Sequence, residues 1–176
     1  MGRIILVLLS SIDQHMLAAL ERGLERVFNR PVEVRVKIGS LDHAYDSSRM
    51  QYLSPRILSR LRRIKKDRGD KIVGLVDVDL YSPDFEFVFG EADIGAGVGT
   101  VSLCRLRPEY YRQPPDSNVF EERAVKEAIH ELGHLYRLGH CPNPKRVMHF
   151  STSLGDVDGK TKMFCATDKQ RLRRNQ

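Results

Sequence analysis

The spacing of apolar residues along the chain switches repeatedly between a strand period and a helix period. An unbroken apolar run, Ile4 to Leu9, makes residues 3–10 a buried strand. Met16, Leu17, Leu20, Leu24, Val27 and Phe28 then recur at helical spacing, which predicts a helix over 13–28 with one apolar face against a sheet. Beyond Pro31, Val32, Val34, Val36 and Ile38 alternate with polar residues as in a half-covered strand. Residues 39–52 are polar and irregular and read as a loop. Pro55 suits the first turn of a helix carrying Ile57, Leu58, Leu61 and Ile64. Residues 72–80 read as one buried strand that ends in acids, among them Asp77 and Asp79.

After the turn at Ser82-Pro83, Phe85, Phe87 and Phe89 alternate, and a second extended segment runs over 98–106. One of these two short strands is placed at a sheet edge, where an extended peptide can be held by main-chain hydrogen bonds. Gly95, Gly97 and Gly99 lack the full glycine pattern of a nucleotide loop and read as a turn or bulge. Past Pro114 and Pro115, Asn118 with Glu121 is a candidate capping box for a helix bearing Phe120, Ala124, Ala128, Leu132 and Leu135. Alternating strands and helices define an α/β scaffold, followed by an irregular C-terminal lobe.

Composition narrows the picture. With 176 residues the chain makes one domain large enough to bury a core without disulfides. No stretch reaches the roughly 18 apolar residues of a membrane helix. The basic start and short apolar run imitate a signal peptide, but they pass straight into the first helix without a small-residue cleavage pattern, so a cytoplasmic, non-membrane protein is expected. Three cysteines, Cys104, Cys141 and Cys165, leave one over in any pairing, which agrees with that setting.

Net charge is +6, concentrated between Arg56 and Lys71 and in the tail from Lys169 to Arg174. Such patches suit nucleic acid or acidic partners. No nucleic-acid-binding motif accompanies them, and a solvated helix face is the preferred reading.

The chemistry is concentrated in His130-Glu131-Leu132-Gly133-His134-Leu135-Tyr136-Arg137-Leu138-Gly139-His140. Four residues apart on a helix, His130 and His134 stand one turn apart on one face and can share an ion. Glu131 lies beside that face, placed to act on water rather than to ligate. The chain must turn to bring in His140; Gly139 can turn freely, whereas a left-handed Arg137 would carry roughly 1 kcal/mol of strain. Three protein ligands with an open position are the arrangement of a catalytic zinc, and with Glu131 as base they predict metal-assisted hydrolysis of a peptide bond. The strand-end acids Asp77 and Asp79 are further catalytic candidates, with turn capping as the equal alternative. Glu91 and Asp93, near the proposed edge strand, are candidates for a substrate amino group, with capping or solvation preferred.

Together with this motif, Asp77-Val78-Asp79-Leu80-Tyr81, Phe87-Val88-Phe89-Gly90-Glu91-Ala92, His140-Cys141, Val147-Met148-His149-Phe150, Ser153-Leu154, Val157-Asp158, Lys160 and Phe164-Cys165 make the chain resemble the archaemetzincins, a family of the metzincin clan of zinc metallopeptidases. The likeness runs from about residue 47 onward. It implies a metzincin-like mixed twisted sheet with packed helices, an active-site helix and a small C-terminal subdomain: one catalytic domain over 1–176, with an upper subdomain over 1–140 and a lower one over 141–176. It implies a methionine turn at Met148 beneath the histidines, and peptidase action on peptide or protein substrates, in the form of an aminopeptidase. Phe150 stands where other metzincins carry a tyrosine near zinc, and is read as packing.

Two departures from the family pattern stand out. Arg137 replaces a glycine, which predicts a strained or displaced turn into His140. The family's second, four-cysteine zinc site keeps Cys141 and Cys165, but Arg146 and Asp168 occupy its other two positions. One catalytic zinc and no intact second site are therefore expected, with an Arg146–Asp168 salt bridge replacing the clip and Cys141 and Cys165 packed as thiols or bonded to each other. His149 with Asp168 is a lesser mixed-site candidate. The competing functions are a non-catalytic zinc-containing peptide-binding protein and a basic nucleic-acid-associated protein; a monomer is favoured.

Overall fold

The computed structural model describes residues 2–175; the first and last positions of the expected 1–176 domain lie outside them. Strand β1 (Ile4–Leu8) is buried on both sides. Its residues divide between two cores: Ile4, Leu6 and Leu8 face helices α1 (Gln14–Phe28) and α3 (Ser117–Leu135), and Ile5 and Val7 face α2 (Ser54–Ile64). A strand covered on both faces needs an unbroken apolar run, which residues 4–8 supply.

Around it lies a five-stranded sheet in the order β2 (Val32–Val36), β1, β5 (Lys71–Val76), β9 (Val98–Ser102), β8 (Gly90–Asp93). Only β8, at the edge, runs antiparallel to its neighbour. Glycines allow the closest approaches between layers. A Cβ on Gly23 of α1 would lie 2.5 Å from Val125 of α3, and one on Gly74 of β5 would lie 2.7 Å from Leu61 of α2.

Several expectations from the sequence need correction. Residues 39–52 are not simply a loop: after a single helical turn at 42–44 they form β3 (Tyr45–Asp46) and enter β4 (Gln51–Leu53), which join β6 (Leu80–Ser82) and β7 (Phe85–Val88) in a second sheet. These strands are too short to show a period. The expected strand over 72–80 stops at Val76, because Asp77 and Asp79 turn out to meet Arg107 and Arg105, and the chain crosses into the second sheet. Arg105 binds Asp79 through two bonds of 2.6 and 2.8 Å, so these acids anchor a crossing. The extended segment over 98–106 ends as a strand at Ser102 and continues as a helical turn over 104–106. Helix α3 is capped by Asp116, which accepts from the Val119 amide at 3.0 Å, not by Asn118. The C-terminal lobe is less irregular than expected, since it holds α4 (Leu154–Gly159), with a capping box between Ser153 and Asp156, and α5 (Ala166–Asn175).

The basic run is largely absorbed by the fold. Arg56 donates to the His43 carbonyl, Arg60 to those of Ser40 and Lys37, and Lys65 to that of Ala96, while Arg62 pairs with Asp93. Arg56, Arg60 and Lys65 thereby fasten loops that present bare carbonyls. Among the described residues no helix is long and apolar enough to cross a membrane.

Asp70, 1% exposed, ties β5 to β1 by accepting from the Arg3 amide and guanidinium at 2.8 to 3.2 Å. The Arg3 hydrogen bond holds its carboxyl below the ordinary 3.8. A depressed folded pKa means that this contribution is complete above the ordinary value and is lost as pH falls through the folded one. Asp70→Asn is expected to lower the thermal midpoint at neutral pH and to flatten its fall in acid, as thermal melts between about pH 2 and 7 would register.

Candidate metal centre and active site

Helix α3 is buried almost all round in its second half, so the polar side chains found there must be held by specific partners. His130 Nδ1 lies 2.8 Å from the Val147 carbonyl, and His134 Nδ1 lies 2.9 Å from the Leu138 carbonyl. A carbonyl only accepts, so each Nδ1 carries the proton and each Nε2 keeps a bare lone pair. The two Nε2 atoms are 3.0 Å apart. Two lone pairs cannot hydrogen-bond to each other, and a cation between them resolves the repulsion. Tetrahedral zinc with nitrogens at about 2.0–2.1 Å needs an N–N separation of about 3.3–3.4 Å, close to what the pair presents.

His140 completes the set. The three rings lie 4.6 to 5.5 Å apart by centroid, and one ligand atom from each falls within 4.8 Å of the others. Burial holds all three imidazoles below their ordinary pKa, most strongly for His130, and Lys160 adds to the effect. Neutral imidazoles are the ligating form. The donor set, its protonation and its spacing all fit zinc.

The turn that delivers His140 runs through Arg137, not Gly139. Arg137 has φ +63°, and Gly139 stays outside the left-handed region. The Leu138 amide donates to Gly133 O at 3.1 Å and the Arg137 amide to His134 O at 2.7 Å. This is a Schellman ending with arginine in the place glycine normally takes. Of the strained or displaced turn expected there, the left-handed arginine is the strained form, and the three rings still converge. The same turn presents the Leu138 carbonyl that orients His134.

Met148 is fully buried, and its Sδ would lie 2.5 Å from a Cβ on Gly133, the glycine between the two helical histidines. The methionine therefore packs directly beneath that turn of α3. The segment leading to it is tied back by the Cys141 amide to Met148 O at 2.9 Å. Phe150 packs on the His140 ring at 4.9 Å and meets Phe85 from β7 at 5.7 Å.

Glu131, 4% exposed, rests against the backbone of β8, where a Cβ on Gly90 would come within 2.7 Å of its Cγ and Oε1. Burial raises its pKa well above the ordinary 4.5, Glu127 and Glu91 raise it further, and Lys160 opposes them. A buried carboxylate with raised basicity beside a metal site has the properties of a general base. Of the other candidate acids, Glu91 lies behind Glu131 and accepts from Ser82 Oγ at 3.2 Å, whereas Asp93 is committed to Arg62 and the Ala96 amide. Asp77 and Asp79 are committed to arginines, as described.

Sequence reading missed Glu127 and did not assign Lys160 a role. Lys160 Nζ lies 2.7 Å from Glu127 Oε1, with the lysine side chain 0% exposed. Glu127 was findable, since it precedes Glu131 by one helical turn. Lys160 reaches it from beyond α4, and no local spacing signals that.

The second cluster differs from expectation. Cys141, Cys165 and Asp168 come together, but Arg146 does not join them. Asp168 lies in the first turn of α5, so its carboxylate folds back onto Cys165, accepting from Sγ at 3.0 Å while its amide donates to the sulfur at 3.3 Å. Among the described residues no ion pair joins Arg146 and Asp168, and a thiol–carboxylate bond stands where a salt bridge was expected. Cys141 and Cys165 are free thiols. His149 bonds to the Cys141 carbonyl at 3.1 Å and stays outside the cluster.

Two outcomes are expected. Arg137→Gly relieves the left-handed strain and stabilises the fold by about 0.5–1 kcal/mol in urea titrations, with zinc content unchanged. Gly133→Ala drives a methyl into Met148, destabilises by about 1–3 kcal/mol and weakens zinc retention against a chelator.

The match to known proteins covers nearly the whole chain. The model of peptidase family M54 matches residues 11–174. The archaemetzincin of Pyrococcus abyssi is 42% identical over 99% of this chain and 96% of its own length. The crystal structure of a zinc-dependent peptidase from Methanocorpusculum labreanum superposes with a TM-score of 0.89 at 32% identity, covering 96% of this chain and 99% of that one. That of the archaemetzincin from Methanopyrus kandleri superposes with 0.85 at 36% identity, covering 99% and 94%. On these relationships and on its own histidine constellation, the chain belongs to the archaemetzincins, peptidase family M54.

Proposed function

We propose that the protein is a zinc-dependent peptidase built as one catalytic domain, its upper part over 1–140 and its lower part over 141–176 meeting at the cleft. The carrying observation is the pair of oriented Nε2 lone pairs of His130 and His134 joined by His140, with a buried Glu131 alongside. His130, His134 and His140 hold the ion. Zinc, when bound, polarises the scissile carbonyl and makes water acidic enough to attack near neutral pH. Glu131 takes the proton from the attacking water and hands it to the departing amine nitrogen, so the amide C–N bond breaks without a covalent acyl-enzyme. Its carboxylate is held against Gly90, so little reorientation is needed between the two transfers.

Substrate enters along β8, an edge strand whose outer side is open for main-chain pairing with an extended peptide, with Gly90 lining the cleft. Removal of single residues from the amino terminus is the form of cleavage we favour, in a monomer acting in the cytoplasm. The presence of Glu131 in the cavity that His130 lines argues against a protein that merely binds peptides, because a buried base would serve no purpose in binding alone.

Zinc-loaded wild type and Glu131→Gln protein, each given a diverse peptide library with products read by mass spectrometry, test this. Cleavage by wild type and a loss of about 10²–10⁴ in rate with zinc content preserved in the variant are expected. Binding without cleavage by either protein would overturn the enzymatic reading.

A further inference from the structure

The chain as a whole is basic, with 29 lysines and arginines against 23 acids. The cleft beside His130 has the opposite character: Glu86, Glu127 and Glu131 line it, and among the described residues that line it there is no lysine or arginine. Its walls are aromatic, formed by Phe85, Phe87 and Phe89 on one side and Phe150 on the other. The cavity measures about 140 Å³, below the roughly 300–1,000 Å³ of pockets that take whole small molecules, and so on the scale of a single side chain or chain end.

Glu127 is a buried polar group of the α3 wall, 3% exposed as a residue. Lys160 holds its Oε1 at 2.7 Å from behind and is itself wholly buried. The ammonium is out of reach, and Glu127 is the member of the pair that lines the cleft. A fixed carboxylate needs no reorganisation to receive a cation. Ser151, also in the cleft lining, has a buried Oγ without a hydrogen-bond partner, an oxygen that rotation about its Cα–Cβ bond would turn towards an incoming N–H. Aromatic faces around a carboxylate and a hydroxyl oxygen suit an ammonium or guanidinium, which gains from ring quadrupoles as well as from the acid.

We propose that this cleft is a specificity site for a positively charged group of the substrate, with Glu127 as the recognition residue and Lys160 as the positioning residue that aims it. The charge is borne by a lysine or arginine side chain near the scissile bond or by the free amino terminus of a peptide. This inference rests on the peptidase reading, yet recognition can be measured apart from turnover.

The test uses a matched set of short peptides carrying lysine, norleucine or glutamate at each position in turn, each with a free and an acetylated amino terminus. Cleavage by zinc-loaded wild type gives kcat/KM ratios, and calorimetry with zinc-loaded Glu131→Gln protein gives binding ratios. Tenfold or greater preference for lysine over norleucine at one position, or for the free over the acetylated terminus, is expected and distinguishes the two sources. Replacing both partners, Glu127→Leu with Lys160→Met, avoids leaving a lone buried charge and should preserve fold and zinc content while bringing that ratio close to one. Should the double variant fail to fold, Ser151→Ala provides the second reading, with a several-fold fall in the same ratio. Equal binding of charged and neutral peptides by the parent protein, including no binding of either, or a ratio unchanged in the variants, overturns the inference. Absence of cleavage with the binding preference intact overturns the peptidase reading alone.

Discussion

Two imidazole Nε2 atoms with bare lone pairs, held 3.0 Å apart while a carbonyl fixes the far side of each ring, are the constraint on which the rest of the structure turns. Left alone they repel. Each is nevertheless fixed, because Val147 and Leu138 accept the proton on the far side of each ring. Those two carbonyls come from different segments, one from the turn that closes α3 and one from the loop ahead of Met148. Forming the site therefore requires α3 to end where it does and the lower lobe to be docked, which couples metal binding to the folding of the C-terminal third of the chain.

The closing turn shows how local strain is carried. A left-handed arginine costs about 1–2 kcal/mol relative to a glycine, and a fold whose whole stability is only about 5–15 kcal/mol does not absorb this without compensation. Around Arg137 the compensation is visible: both amides of the Schellman ending are satisfied, Leu138 is buried, and its carbonyl orients His134. The turn is held by contacts on either side, and the three histidines converge beyond it. The lower lobe gives a parallel case. There the Cys165–Asp168 bond forms within a single turn of α5 and leaves Arg146 outside the cluster.

Electrostatics divide the molecule by function. Outside the cleft, Arg56 and Arg60 of the basic run fasten loop carbonyls, and Arg105 and Arg107 hold the acids where the chain crosses between sheets, so positive charge is spent on architecture. Inside it, three carboxylates line a cavity walled by phenylalanines, with Lys160 completely enclosed behind one of them. Burial raises the basicity of Glu131, the neighbouring Glu127 and Glu91 add to it, and the enclosed Lys160 ammonium opposes them.

Apolar patterning and ligand spacing were enough, from the sequence alone, to place α1, α2, α3 and the internal strand β1, and to bring His130, His134 and His140 together with Glu131 beside them, because each depends on contacts within a few turns or on a face that must be buried. The second sheet was illegible for the opposite reason: strands of two to four residues have no readable period and exist only because they pair with one another. The break after Val76 depends on arginines about 30 residues away. Which residue of the Arg137–Gly139 segment turns left-handed, which partner Asp168 takes, and how Lys160 reaches Glu127 were likewise decided by tertiary packing, since each is a competition between partners that only the folded chain brings within reach.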